Sequence, residues 1–154
     1  MAICDEGWSI FSNNCYKFNP ERKDWKEAAN TCEQAGGHLT SIHSQDELAF
    51  IRMVMDSSKV TSSRTWIGGE RKGNSFRWID GTSFDFDNWN ELEPNNRGEN
   101  ENCIEVYTAP GYIKHNKFND KACNLMGDFI CKKQPMEGTY SKCILMHYLK
   151  LMSY

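Results

Sequence analysis

Apolar and polar positions change their period twice along this chain. From Ser9 to Phe18 they alternate around Ile10, Phe11, Tyr16 and Phe18, the mark of a strand, with Asn13-Asn14 as a turn that breaks it. Asp24 then stands as an N-cap before an inward stripe of Trp25, Ala28, Ala29, Cys32 and Ala35 at helical spacing, closed by Gly36-Gly37. Ser44-Gln45-Asp46-Glu47 reads as a capping box. The helix it opens carries Leu48, Ile51, Val54 and Met55 on one face, and these are core positions. After a Ser/Thr-rich connection the period falls to two. Thr65-Trp66-Ile67-Gly68 and Phe76-Arg77-Trp78-Ile79 read as strands, with Asp80-Gly81 as a turn. Three further short strands are expected near 103–107, 113–118 and 129–132. Two helices followed by several short strands define an α+β domain.

From Gly81 to about Glu101 the periodicity is lost, and a loop of that length in a compact domain is either functional or disordered. Its last part reads Glu93-Pro94-Asn95-Asn96-Arg97-Gly98-Glu99-Asn100-Glu101-Asn102-Cys103, and a second polar pair, Asn119-Asp120, stands shortly before Cys123. Carboxylate and amide oxygens in this density suit calcium, which takes about six to eight oxygen ligands. No Asp-x-Asp-x-Asp-Gly run is present, so the spacing is not that of an EF-hand. After Lys133 the character changes again. Residues 134–154 read as a tail outside the domain, either disordered or an amphipathic segment for homo-oligomer formation.

Composition narrows the partners. The chain has 154 residues, one domain's worth, and a formal net charge of −3, so it offers no basic face to nucleic acid. No apolar run reaches the roughly 20 residues needed to cross a bilayer, which argues against membrane insertion. No signal peptide precedes Cys4, so the sequence reads as a mature fragment with an added start methionine. Seven cysteines without a C-x-x-C pair read as a disulfide framework made in an oxidising compartment, hence a secreted, extracellular protein. Six cysteines allow 15 pairings, and composition does not choose among them. The four histidines read as ordinary polar residues.

From Cys4 to Lys133 the chain closely resembles the C-type lectin domain. The likeness rests on Gly7-Trp8, Cys15-Tyr16, Trp25 with Ala28 and Cys32, Gly37-His38-Leu39 with Ile42, and Glu47. It continues through Trp66-Ile67-Gly68-Gly69, Glu93-Pro94-Asn95, Glu101-Asn102-Cys103, Asn119-Asp120, Cys123 and Phe129-Ile130-Cys131. The resemblance implies a carbohydrate-recognition domain over residues 1–133, with two helices, short antiparallel sheets and a long irregular calcium-binding loop. It implies three disulfides, Cys4–Cys15, Cys32–Cys131 and Cys103–Cys123, which leaves Cys143 unpaired, either free or, if the tail is an oligomerisation segment, linking two chains. It further implies a cis bond at Glu93-Pro94 and one calcium ion held by Glu93, Asn95, Glu101, Asn119 and Asp120, with Glu101 preferred to Glu99 for its distance to Cys103. The same five residues would bind sugar, glutamates accepting from its hydroxyls and asparagines donating to them. In the family, the Glu-Pro-Asn order goes with equatorial 3- and 4-hydroxyls, as in mannose, N-acetylglucosamine and fucose. Mannose-type glycans on cell or microbial surfaces are the implied partners. Where members with an auxiliary calcium carry acidic residues, this chain reads Glu70-Arg71-Lys72-Gly73 and Asn102, which argues against a second ion, while Asn96 and Glu70 leave it open.

Two other readings compete. A lectin-like domain that binds protein or another surface would keep the fold without the sugar, since fold does not fix function. A glycosidase built on Glu93 and Glu101 is disfavoured, because neither shows an apolar pocket that would raise its pKa for general-acid work. No nucleophile elbow, P-loop or Ser/His/Asp order is present, so the expectation is a binding protein and not an enzyme.

Overall fold

The computed structural model describes residues 2–58, 63–108 and 116–137. The expectations placed on 113–115, on Cys143 and on the rest of the tail lie outside these residues. Alternation over the first segment gives a hairpin of β2 (Ser9–Phe11) and β3 (Asn14–Lys23), preceded by the short β1 (Ala2–Ile3). Its turn falls one residue earlier than read, at Ser12-Asn13, both at positive φ, so Asn14 already pairs with Phe11.

Asp24 caps α1 (Trp25–Gln34) by accepting from the Glu27 amide at 2.8 Å, and Trp25, Ala28, Ala29 and Cys32 form its buried face. Ala35, read as the end of that stripe, is exposed instead and forms the C-cap. Gly36 at φ +81 then closes the helix, with Gly36 N–H donating to Glu33 O and Gly37 N–H to Cys32 O. A side chain at Gly37 would collide with the Lys132 carbonyl, so only glycine lets this turn dock on the sheet.

The short β4 (His38–Leu39) leads to α2 (Gln45–Ser57), whose cap Ser44 accepts from the Glu47 amide at 3.1 Å. The reciprocal half of the box is displaced. Glu47 accepts from the His43 amide, from the Tyr16 hydroxyl at 2.6 Å and from Lys132 Nζ at 2.7 Å, so it is a buried polar anchor as much as a cap. Leu48, Ile51, Val54 and Met55 are buried, as their spacing predicts.

β5 (Arg64–Lys72) and β6 (Ser75–Trp78) form the next hairpin. They are followed by β7 (Cys103–Tyr107), β8 (Phe118–Lys121), β9 (Gly127–Lys133) and β10 (Met136–Glu137). The main sheet runs β2-β3-β9-β5-β7-β8, with β4 on β9 and β6 on β5, while β1 and β10 pair separately. Paired structure therefore extends past Lys133 to Glu137. The sheet is mixed: β5 and β9 are parallel, and the other pairs are antiparallel. Two apolar clusters fill it. One gathers Ile42, Leu48, Ile51, Ile67, Trp78, Ile104, Phe118 and Ile130 between α2 and the sheet. The other packs α1 through Trp25, Ala28 and Cys32 onto Trp66 and Phe129.

Three disulfides join Cys4 to Cys15, Cys32 to Cys131 and Cys103 to Cys123. The second closes 99 residues and contributes about 4–5 kcal/mol on the chain-entropy account. Among the described residues no helix is long and apolar enough to cross a membrane.

Candidate functional site

The loop after β6 has no strand of its own, so its position depends on aromatic anchors. Phe84 lies 4.7 Å from Trp78, and Trp89 lies 4.9 Å from Phe76 and bridges to Phe118. Asn88 and Asn90 are buried beside it. The Phe118 amide donates to Asn88 O, and the Asn90 amide donates to Phe118 O, both at 2.9 Å. These bonds pin the loop to β8, the strand that carries Asn119 and Asp120. Cys103–Cys123 ties the start of β7 to the chain just past β8.

Beyond the anchors the chain turns sharply. Leu92 and Asn96 take positive φ, and the Glu93-Pro94 bond is cis, as the resemblance implies. Asp120, fully buried, organises the next turn: its carboxylate accepts from the Asn95 amide at 3.0 Å and from the Asn96 amide at 2.8 Å. Asn95 Oδ1 and Glu101 Oε2 both accept from the Arg97 amide, at 2.8 and 2.9 Å. The Asn96 side chain accepts from the Glu101 amide at 3.1 Å. The Asn95 amide also donates to Glu93 Oε2 at 3.2 Å, so Glu93, Asn95, Glu101 and Asp120 belong to one hydrogen-bonded set. Glu101 is buried within it, whereas Glu99 is exposed.

Asn119 is placed differently. Side chains alternate along β8, so Asn119 faces away from Asp120, and its amide donates to Glu105 Oε1 at 2.9 Å. Asn119 keeps a second N–H and its carbonyl oxygen for other work.

The site's charges are crowded. Burial and the neighbouring Asp120 carboxylate push the Glu93 carboxyl up to about 7; the Asn95 amide opposes them and Glu101 adds to them. Glu93 thus departs from the expectation that it has no surroundings to raise its pKa: burial acts first and the like charge of Asp120 second, and a sequence displays neither. Burial also raises Glu105, against the pull of Arg64, Asn119 and Lys121. Excess negative charge of this kind fits a hard cation, and carboxylates with asparagine carbonyls are calcium's ligand types. However, among the described residues no three His, Cys, Asp or Glu side chains already converge as a metal cage. The carboxylates turn instead to loop amides, to Arg71 (Nη2 to Asp120 Oδ2, 2.6 Å) and to Lys121 (Nζ to Glu101 Oε1, 3.1 Å). Arg71, Lys121 and Glu105 were missed by sequence reasoning. Only Glu105 left a signal there, as a charge inside the apolar run of β7.

A disulfide-braced α+β domain with a long polar loop folded against one sheet edge defines a class, and comparison with known proteins names it. The Lectin C-type domain family matches residues 21–133, and the chain belongs to that family. It is 40% identical over 142 residues to C-type lectin lectoxin-Lio1 of Erythrolamprus poecilogyrus, covering 88% of this chain and 84% of that one. Two solved structures are also similar. The cow C-type carbohydrate-recognition domain of CD23, determined in the presence of a GlcNAc2Man3 oligosaccharide, has a TM-score of 0.74 at 30% identity, covering 87% of this chain and 98% of that one. A calcium-independent type II antifreeze protein has a TM-score of 0.76 at 26% identity, covering 88% and 98%.

Proposed function

We propose that this domain is an extracellular, calcium-dependent lectin for mannose-type sugars and not an enzyme. The observation that carries the reading is the gathering of Glu93, Asn95, Glu101 and Asp120 into one set at the end of the loop; Asn119, next to Asp120 in the chain, is bonded to Glu105 instead and would have to turn from it to join the ion. These five residues would hold the ion, which supplies open coordination positions for two vicinal hydroxyls. Each hydroxyl then donates to a glutamate oxygen and accepts from an asparagine amide, the order of Glu93-Pro94-Asn95 favouring the equatorial pair. Asp120 holds the Asn95 and Asn96 backbone, so it orients the ligands while contributing charge. A shallow site of this kind gives roughly millimolar affinity, about 4 kcal/mol, and useful binding then comes from several domains acting together.

Retention on mannose resin in millimolar calcium, with EDTA elution and galactose resin as control, tests the reading. Retention on mannose alone, released by EDTA, is the expected result. Passage through both resins by folded protein overturns it. It would favour the second reading, a lectin-fold domain that binds a protein or other surface without sugar. Two observations speak for that alternative: cations of the chain already sit on Asp120 and Glu101, and a calcium-independent antifreeze protein shares the fold. An aryl glycoside assay is expected to show no turnover.

A further inference from the structure

Arg71 stands near the end of β5, beyond a shift of register on β7 between Trp66 and Glu70. Its polar contacts go to the loop and to β8. Its backbone amide donates to Asn102 O at 2.8 Å, Nε to Glu101 O at 3.1 Å and Nη2 to Asp120 Oδ2 at 2.6 Å. The guanidinium lies over the Phe76 ring, 4.6 Å from its centroid, and its side chain is only 15% exposed. The adjacent Glu70 does not answer this charge, because it pairs with Arg77. Arg71 is thus a fixed cation on the most buried carboxylate of the site, and Lys121 holds a second carboxylate on Glu101. Two of the three carboxylates assigned to the ion already have a positive partner from the chain itself.

We propose that Arg71 is a built-in competitor of calcium: its guanidinium neutralises Asp120 without the ion and sets the calcium concentration at which the site fills. The inference rests on the calcium reading given above. A dication brought to Asp120 meets a positive charge that packing on Phe76 and a hydrogen bond to the Glu101 carbonyl prevent from swinging clear. An interaction that stabilises the ion-free form more than the loaded one lowers affinity by that difference. Arg71 also ties loop to sheet through Asn102, Glu101 and Asp120, which is a structural role of its own. The two effects separate by measurement, since a purely structural Arg71 would stabilise both forms equally.

The test is thermal melting and calorimetric calcium titration of wild type and Arg71→Gln, which keeps a donor for Asp120 but loses the charge. Arg71→Gln is expected to melt lower in EDTA, to gain more from calcium than wild type does, and to bind calcium about tenfold more tightly. Tenfold is the order expected from removing one charge near a dication in a water-like dielectric. Arg71→Lys keeps the charge and should stay near the wild-type affinity. Lys121→Gln, at a more exposed pair, should move the same way by less; if Arg71→Gln does not fold, Arg71→Met, which keeps apolar packing on Phe76 without the charge, takes its place in the same measurement. A calcium-induced rise in Tm that is no larger in Arg71→Gln than in wild type overturns the inference. Failure of the calcium reading looks different: wild type then shows neither heat nor a Tm change in millimolar calcium. In that event binding gained by Arg71→Gln still supports Arg71 as the competing cation, and binding by neither protein overturns both.

Discussion

Asp120 and Asp80 each accept three hydrogen bonds, and each allows a prediction. Asp120 joins Arg71, Asn95 and Asn96 at a fully buried position. Asp120→Asn leaves the Arg71 charge without its partner and should cost about 3–5 kcal/mol by urea unfolding, with loss of retention on mannose resin. Exchanging donor and acceptor is gentler. Glu93→Gln with Asn95→Asp should move preference from mannose to galactose in a competition assay, and an unchanged preference would show that other loop residues set specificity. Asp80 accepts from the Ser41 hydroxyl and from both the amide and hydroxyl of Thr82. Burial works to raise its carboxyl, but these bonds and the Lys132 charge outweigh it and hold the group below its ordinary 3.8. A carboxyl depressed in the folded state contributes stability above its unfolded pKa, and that contribution fades as pH falls below it. Urea midpoints of wild type should therefore fall more steeply than those of Asp80→Asn as pH drops below about 4.

At the scale of elements, what was legible in the sequence was whatever depends on neighbours in the chain. Both helix starts are set by side chains three residues from the amides they accept, and Asp24→Ala should cost about 1 kcal/mol, read as a lower Tm. The strands β5, β6, β7 and β9 carried enough alternation to be placed within a few residues. β4 and β10 escaped, because two residues carry no period and each exists only through its partner strand. β8 begins at Phe118, later in the chain than the apolar pattern places it, since its Asn119 and Asp120 are buried against β7 and the loop by polar pairing and not by apolar pattern. The candidate donors were visible as residue types in a dense polar run. That Asn119 faces Glu105, that Arg71 reaches Asp120 and that Glu93 is raised all depend on which strands lie side by side, and β5, β7 and β8 are brought together from distant parts of the chain.

For the molecule as a whole, the disulfides divide the work between the framework and the site. Cys103–Cys123 sits where the loop, β7 and β8 meet, whereas Cys4–Cys15 fastens the first residues to β3. Removing Cys103 and Cys123 together as alanines should cost about 3 kcal/mol and weaken mannose retention. Removing Cys4 and Cys15 should lower Tm while leaving retention of the folded protein unchanged. Equal effects on retention would show that the loop is held by the whole framework and not by its own bridge.

The pairing of Ala2 with Glu137 and Ile3 with Met136 has a geometric consequence. The described ends of the chain leave the molecule side by side, fastened near the β2–β3 border of the main sheet, while β8 and the loop lie at its opposite border. A polypeptide threaded in at one end and out at the other could carry this unit like a bead with both holes on one side. Chain leaving the two described ends departs from that one border, and the border formed by β8 and the loop faces away from it.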